Sequence, residues 1–338
     1  MWLIASDLHL TDAPRDSYRN GIFDYLAEQA NENNASDIFL LGDITDRKDH
    51  HSGAFINFLW YKFMLLSDKT KARIHILQGN HDYTDPENPT LGFLPLLKNT
   101  DIFWYEPSNT LVGAAKSGQS VVMFPFCRNE DDFKTTLYRV PDAKFPAAFF
   151  HQTFRSAKAS SGIEMDGIPV GLLEHIKAKR YFSGDIHVPQ TIGPVEYVGS
   201  PYQIRFGDEF KGRVIAYDVD KDEMKSLYYP TIRKTTLVIK KPSDLSNANL
   251  LPGDQVKIRM ALSRDEMSDW KTIEAEIVAA VKDACADLCG VEITEADAQV
   301  TVETKATASS DPSVVYGEFC ESNKIDGDVK SYGEAYLT

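Results

Sequence analysis

The first eighty residues alternate short apolar runs with amphipathic stretches. Apolar runs that end in polar residues predict strands at 2–7, 37–43 and 72–80. Residues 16–33 are predicted to form an amphipathic helix, and residues 54–66 a strongly apolar helix, because their apolar positions recur at helical spacing. This β-α-β-α-β series predicts α/β layering.

The middle of the chain is richer in predicted strands than in helices. Consecutive strands with few intervening helices indicate a second sheet that packs on the first. A helix is expected near 170–178, and the strands are expected near 102–105, 120–125, 147–151, 180–184, 196–199 and 212–218.

The pattern changes again after about residue 231. Two predicted strands, at 234–240 and 254–262, precede a helix at 268–288 and a strand at 298–304, which together favour a small α+β domain. A stretch of small polar residues follows at 305–313 and is typical of a linker. We therefore divide the chain into domains 1–231 and 232–304 and a short helical tail that includes the linker, 305–338.

Charge and cysteine content narrow the function classes. The net charge of −14 weighs against nucleic-acid binding, but residues 291–338 hold ten acidic and three basic residues, which is half of that charge. The four cysteines lack zinc-finger spacing, so helix packing is the better interpretation of Cys285 and Cys289. No apolar run is long enough to span a bilayer or to act as a signal peptide, so a cytoplasmic location is expected.

Five polar clusters follow apolar runs and carry the candidate chemistry. Ligands bind beyond the carboxyl ends of strands in α/β sheets, so these clusters are placed to converge. Asp7 and His9 point the same way from an extended strand and can share one ion. The clusters are Asp7-Leu8-His9, Gly42-Asp43-Ile44-Thr45-Asp46, Gly79-Asn80-His81-Asp82, His151, and Gly184-Asp185-Ile186-His187.

These residue types suit a centre of two divalent ions about 4 Å apart, which clamps a phosphodiester and lowers the pKa of a bound water. Asp43 is expected to bridge the ions, and Asn80 offers a neutral oxygen ligand. His81 would stabilise or protonate the leaving oxygen, and Asp82 would orient its ring. Mixed oxygen and nitrogen ligands fit Mn²⁺, Mg²⁺, iron or zinc, and Mn²⁺ is our choice.

The ordered set of motifs DLH, GDITD, GNHD, a lone histidine and GDIH resembles the calcineurin-like metallophosphoesterase superfamily. That resemblance implies a two-sheet α/β sandwich with the metals at strand ends. The segments GDIHVPQ and EYVGSPYQIRFGDEFKGRVIAYDVD are similar to the SbcD-type nuclease subunit of bacterial and phage recombination complexes. By this resemblance, 232–304 is a capping domain that helps select DNA, and the tail docks on a coiled-coil ATPase.

The resemblance also implies two ligand sets. Asp185 stands where that family usually has histidine, which leaves the second site either adapted to hard cations or weakened. His50 or His51 is an alternative to Asp46, where some relatives place a histidine. One set is Asp7, His9, Asp43 and His187, and the other is Asp43, Asn80, His151 and Asp185.

The sequence thus predicts a Mn²⁺-dependent DNA exonuclease and endonuclease subunit, a minimal and phage-like version. Its expected partners are DNA ends, an SbcC-type ATPase and a second copy of the chain, with residues 54–66 as one contact surface. The rivals are a phosphoesterase for small nucleotides and a catalytically weak DNA-end scaffold that regulates the ATPase. Candidate DNA contacts are Arg47, Lys48, Arg205 and Lys211.

Overall fold

The structure is a computed structural model that describes residues 1–48, 51–83, 101–105 and 111–295, together with residues 316 and 320. Backbone packing groups residues 1–260 with 269–293 in one compact unit, and residues 261–268 with 294–338 in another. The predicted strand at 298–304, the linker and most of the tail lie outside the described residues.

A mixed sheet built mostly from the first third of the chain carries three of the five polar clusters. Its strands β1 to β4 run parallel, so their carboxyl ends share one edge, while β11 pairs antiparallel with β1. In the described residues it has the spatial order β12-β11-β1-β2-β3-β4. The strands are β1 Trp2–Ala5, β2 Asp37–Leu41, β3 Arg73–Leu77, β4 Ile102–Tyr105, β11 Val214–Asp218 and β12 Glu223–Leu227.

A second sheet packs on the first and carries the other two clusters. Among the described residues its order is β5-β6-β7-β8-β10-β9, with β7 and β8 parallel. Phe39 of β2 and Phe149 of β7 stack with ring centroids 4.2 Å apart in the core between the sheets. The strands are β5 Val112–Ala114, β6 Ser120–Phe124, β7 Lys144–His151, β8 Lys177–Gly184, β9 Gln190–Ile192 and β10 Val195–Tyr197.

Helices cover the outer faces of both sheets. The first predicted helix divides into a 3₁₀ segment, Pro14–Gly21, and α1, Ile22–Glu32, because Asp16 and Arg19 turn inward to buried polar partners. The second is confirmed as α2, Gly53–Lys69, which Ser52 caps by accepting from the Phe55 N–H at 3.2 Å. Helix α3 covers Glu130–Leu137, and a 3₁₀ turn, Val170–His175, replaces the helix predicted near 170–178.

A third sheet follows in the order β13-β14-β15 within the described chain. The predicted helix at 268–288 is too long, because α5 ends at Asp283 and Cys285 takes a left-handed conformation (φ 54°) that turns the chain into β15. Two large sheets and this smaller one confirm the predicted α/β sandwich class. The remaining elements are β13 Lys234–Ile239, 3₁₀ Pro242–Asn247, β14 Gln255–Leu262, α4 Arg264–Ser268, α5 Trp270–Asp283 and β15 Asp287–Glu295.

None of the helices in the described residues is both long and apolar enough to cross a bilayer.

His75, in the middle of β3, forms a buried polar network within the first sheet. Its Nε2 lies 3.0 Å from Asp37 Oδ1 and its Nδ1 lies 3.1 Å from the Tyr105 hydroxyl, while its ring stacks on Phe39. Burial raises the pKa of Asp37, but hydrogen bonds from His75 and Ser36 outweigh it and leave that pKa lowered. Burial also lowers the pKa of His75, so the pair is an anion beside a neutral ring.

We expect His75→Ala to lower the free energy of unfolding by about 2–4 kcal/mol, because it opens a cavity and removes a partner of a buried carboxylate. Both lowered pKa values favour unfolding in acid. The contribution of Asp37 to the free energy of unfolding is lost as pH falls through its folded pKa, and the neutral His75 opposes folding below about pH 6.5, where the unfolded chain binds a proton. Urea denaturation at pH 7 and pH 5 measures the free energy of unfolding of the wild type and of His75→Ala, with exposed His175→Ala as the matched control. Equal effects of the two substitutions would contradict the structural role of His75.

Candidate metal centre

The strand ends bring the five polar clusters together. The Asp7 N–H donates to the Gly42 carbonyl at 3.1 Å, which joins the ends of β1 and β2, and His151 pairs in register with Gly184 across β7 and β8. The Asp185 N–H donates to Asp7 Oδ1 at 3.1 Å and links the two sheets. Residues from both sheets therefore face one point.

Four candidate ligands have left-handed backbone conformations. The φ angles are 54° at Asp7, 42° at His9, 50° at Asp43 and 78° at Asp185. Such conformations cost on the order of 1–3 kcal/mol for most non-glycine residues, although Asp and His tolerate them better than bulky side chains. The surrounding hydrogen bonds hold this backbone in place, which preorganises the ligands.

Asp7, His9 and His187 form the first ligand cluster, with their ligand atoms within 4.8 Å of one another. The Nε2 atoms of His9 and His187 lie 3.0 Å apart, and His9 Nδ1 lies 3.1 Å from Asp46 Oδ1. Burial raises the pKa of Asp7 to about 6, and burial together with His9 lowers the pKa of His187 to about 4. His187 is therefore a neutral imidazole at pH 7.

Asp43, His151 and Asn80 lie on the other side of the site, and Asp43 and His151 cluster with Asp7. The carbonyl of Leu41 accepts a hydrogen bond from His151 Nδ1 at 2.6 Å, which leaves Nε2 facing Asp43 Oδ1 at 3.3 Å. Burial opposes ionisation of Asp43, but the charge of His151 lowers the pKa of the carboxyl strongly. Burial likewise opposes protonation of His151, and Asp43 raises its pKa well above the usual value.

Asp185 lies beside this second group. Its Oδ1 is 3.8 Å from His151 Nε2, and its Oδ2 accepts a short hydrogen bond from the Thr153 hydroxyl. Burial raises the pKa of Asp185. Thr153 holds one carboxylate oxygen and leaves the other facing the site, which is the orientation a ligand requires.

His81 lines the site, and Asp46 rather than Asp82 holds its ring. The Asp46 carbonyl accepts from His81 Nδ1 at 2.5 Å, so Nε2 remains for a substrate. The structure differs here from the role expected of Asp82: its buried carboxylate accepts from the N–H groups of Gly79 and Ile44, both at 2.9 Å. Burial raises the pKa of Asp82 to about 7. Its role is to fix the two loops that carry Asp43 and Asn80.

The residues around the metal centre line an open cavity of about 500 Å³. His9, Asp43, Asn80, His81, Asp185 and His187 form its floor, and residues 205–208 and 159–161 contribute walls. Residues 203–208 belong to no helix or strand and are called the 203–208 loop.

The candidate DNA contacts differ in their positions. Of these four residues, Arg205 lines the cavity. Arg47 and Lys48 are exposed, and Lys48 Nζ lies 5.7 Å from the Tyr83 ring centroid. Lys211 Nζ sits 3.4 Å from the Tyr228 ring centroid. Arg205 is therefore the best placed of the four to reach a ligand in the cavity.

Sequence reasoning placed Asp46 in the GDITD motif without identifying its contacts to His9 and His81, and it missed Thr153 and Arg19. Thr153 and Arg19 belong to no motif and act through Asp185 and through the His9 carbonyl respectively. No sequence pattern identifies such contacts.

The donor atoms fit divalent metal ions. Asp7 Oδ2 is buried and has no hydrogen-bond partner among the described residues. With His151 Nε2 unprotonated, as a metal ligand requires, Asn80 Oδ1 faces only acceptor atoms, namely His151 Nε2 at 3.0 Å and the two Asp43 oxygens at 3.2 and 3.3 Å. A cation satisfies converging lone pairs, whereas without one the Asn80 amide has to rotate and present its nitrogen. The 3.0 Å between the His9 and His187 Nε2 atoms also matches two ligands at about 2.1 Å from one ion at a right angle.

The family model for calcineurin-like phosphoesterases matches residues 2–189, which is more than half of the chain. The matched range contains every candidate metal ligand. A comparison with curated proteins gave no significant match.

We expect Gly79→Ala to abolish tight metal binding. A Cβ at Gly79 would overlap Asp43 Oδ1 and the Asp43 backbone nitrogen, so the central carboxylate has to move. Isothermal titration of the metal-free protein with Mn²⁺ measures this. Gly53→Ala is the matched control, because a Cβ at Gly53 meets no atom within 4 Å. Equal Mn²⁺ affinity in the two variants would show that Asp43 does not need its present position.

Proposed function

The chain belongs to the calcineurin-like phosphoesterase family, and on that basis we propose that it is a Mn²⁺-dependent nuclease that hydrolyses phosphodiester bonds at DNA ends. Family membership implies metal-dependent phosphoester hydrolysis. The metal, the DNA substrate and the partners are the parts that we propose.

The position of Asp43 between the two histidine groups carries the proposal. Its Oδ2 lies 3.5 Å from His9 Nε2, and its Oδ1 lies 3.3 Å from His151 Nε2. One carboxylate thus offers an oxygen to each side, which is the arrangement that a two-metal phosphoesterase needs. Asp7 and His187 complete one side, and Asn80 and Asp185 complete the other.

The chain's own residues define what the site does. Bound divalent ions would supply charge neutralisation at the phosphate and activation of water. His81, when protonated, keeps Nδ1–H on the Asp46 carbonyl and presents Nε2–H to the leaving oxygen. Asp82 keeps the loops of Asp43 and Asn80 rigid through their backbone N–H groups. Arg205 and Phe206 line the same cavity, where a phosphate and a base can contact them.

The proposed partners are a second copy of the chain and a coiled-coil ATPase. Helix α2 exposes Trp60 (51%) and Tyr61 (58%), which supports self-association through this helix. Sedimentation velocity over a range of concentrations tests it, and a monomer throughout would exclude it. The coiled-coil ATPase partner rests on the sequence resemblance, and co-purification of the two chains tests it.

Oxygen-rich ligation supports Mn²⁺ or Mg²⁺ at the Asp185 side, where Asp43, Asn80 and Asp185 provide oxygen atoms and His151 provides nitrogen. We expect Asp185→His to shift the ratio of Zn²⁺ to Mn²⁺ affinity toward Zn²⁺ by roughly ten-fold or more, since imidazole suits zinc. Competition titrations followed by Mn²⁺ electron paramagnetic resonance measure the ratio. The exposed Asp142→His is the control. An unchanged ratio in Asp185→His would remove Asp185 from the ligand set.

We expect His81→Ala to lower Mn²⁺-dependent cleavage by about 10²–10⁴-fold, the usual contribution of a general acid, with Mn²⁺ affinity retained. End-labelled duplex DNA and a chromogenic phosphodiester are the two substrates. Exposed His175→Ala is the matched control away from the site.

The two substrates separate the rival functions. Cleavage of the chromogenic diester without cleavage of DNA, even with the ATPase present, would favour a phosphoesterase for small nucleotides. No cleavage of either substrate would favour a DNA-end scaffold whose second metal site is weakened by Asp185.

A further inference from the structure

Three charged side chains, Asp16, Arg19 and Lys234, form a buried cluster outside the metal centre. Asp16 Oδ1 accepts from Arg19 Nη2 at 3.1 Å and from Lys234 Nζ at 3.2 Å. All three residues are at most 9% exposed. Hydrophobic replacement of buried ion pairs is often neutral for stability, so stability alone gives no reason for this cluster.

Arg19 connects His9, on the floor of the cavity, with the 203–208 loop, which contributes a wall. Its Nη1 donates to the His9 carbonyl at 2.6 Å, and its Nη2 donates to the Ile204 carbonyl at 3.2 Å. The guanidinium lies 5.7 Å from the Tyr18 ring centroid and 5.9 Å from that of Tyr202. A planar, rigid donor group thus spans the backbone of a metal ligand and the backbone of the 203–208 loop.

Tyr18 and Lys234 also attach the 203–208 loop to the described part of the chain, and the Tyr18 hydroxyl donates to the Gln203 carbonyl at 3.2 Å. Asp208 Oδ2 accepts from the N–H groups of Ile204 and Arg205, both at 2.8 Å, which closes the loop on itself. The Lys234 N–H donates to Gln203 Oε1 at 2.8 Å. Lys234 is the first residue of β13, so the third sheet is tied to the loop that carries Arg205 and Phe206.

We infer that Arg19 is a positioning residue: it fixes the distance between the His9 backbone and the 203–208 loop, and Asp16, which Lys234 of the third sheet holds in turn, orients it. The substrate that fits the site depends on this distance, because Arg205 and Phe206 move with the loop. The choice of DNA as that substrate rests on the proposed function, whereas the positioning role does not.

Arg19→Lys is the decisive variant. It keeps a cation beside Asp16, so folding is retained, but an ammonium on a shorter reach cannot bridge both carbonyls. Arg180→Lys is the matched control, since Arg180 also donates to a carboxylate and a carbonyl, both of Asp222, and does not line the cavity. Gln203→Ala is a second variant, which removes the link to Lys234 without leaving a buried charge unpaired.

Hydrogen exchange and kinetics are the two measurements. In Arg19→Lys and Gln203→Ala we expect amide exchange in residues 203–208 to rise about ten-fold, with residues 73–77 unchanged. We expect the KM for duplex DNA to rise about ten-fold in Arg19→Lys, while kcat and Mn²⁺ affinity stay near the wild-type values. Arg180→Lys is expected to change neither measurement.

Unchanged exchange in the 203–208 loop of Arg19→Lys would overturn the inference. So would a KM effect of equal size in Arg180→Lys, because that result indicates a general loss of stability. Failure of the wild type to cleave DNA would contradict the proposed function instead, and the exchange measurement would still decide the role of Arg19.

Discussion

The fold is organised around buried carboxylates that lie within a few ångströms of one another. Asp7 and Asp43 are almost completely buried, as is Asp82, and Asp185 adds a fourth acid at the same strand ends. Burial raises the pKa of Asp7 to about 6 and that of Asp82 to about 7, and the charge of Asp43 adds to both shifts, which expresses the cost of burying neighbouring anions. Divalent cations are the counter-charge that removes this cost. Parallel strands, left-handed turns and cross-sheet hydrogen bonds all hold the acids where such cations can bind.

The sequence could identify this site because each ligand follows a strand. An apolar run that stops at Asp, Asn, Gly or His marks both the strand and its carboxyl end, as at Asp7 and Asp43. The contacts that support the ligands leave no such mark. Thr153 acts on a carboxylate 32 residues away, and Arg19 acts on a backbone carbonyl. The sequence predicts that Asp82 orients the ring of His81, but the Asp82 carboxylate accepts hydrogen bonds from backbone N–H groups instead.

Secondary structure shows the same division between local and distant causes. Helix α2 could be predicted because its apolar face and Ser52 cap are encoded within the segment itself. The 3₁₀ turn at 14–21 could not be predicted, because its geometry depends on hydrogen bonds with Lys234 and with the His9 carbonyl, both outside the segment. The end of α5 was missed because a left-handed residue, Cys285, gives no composition signal.

The candidate ligands are divided between the two large sheets, with Asp7 and Asp43 at strand ends of one and His151 and Asp185 at strand ends of the other. A metal centre built this way is a cross-link between layers. Sliding or separation of the sheets has to break coordination bonds before the aromatic core between them opens. Bound metal should therefore slow unfolding more than the increase in equilibrium stability alone would suggest. The lifetime of the folded protein then depends on metal supply.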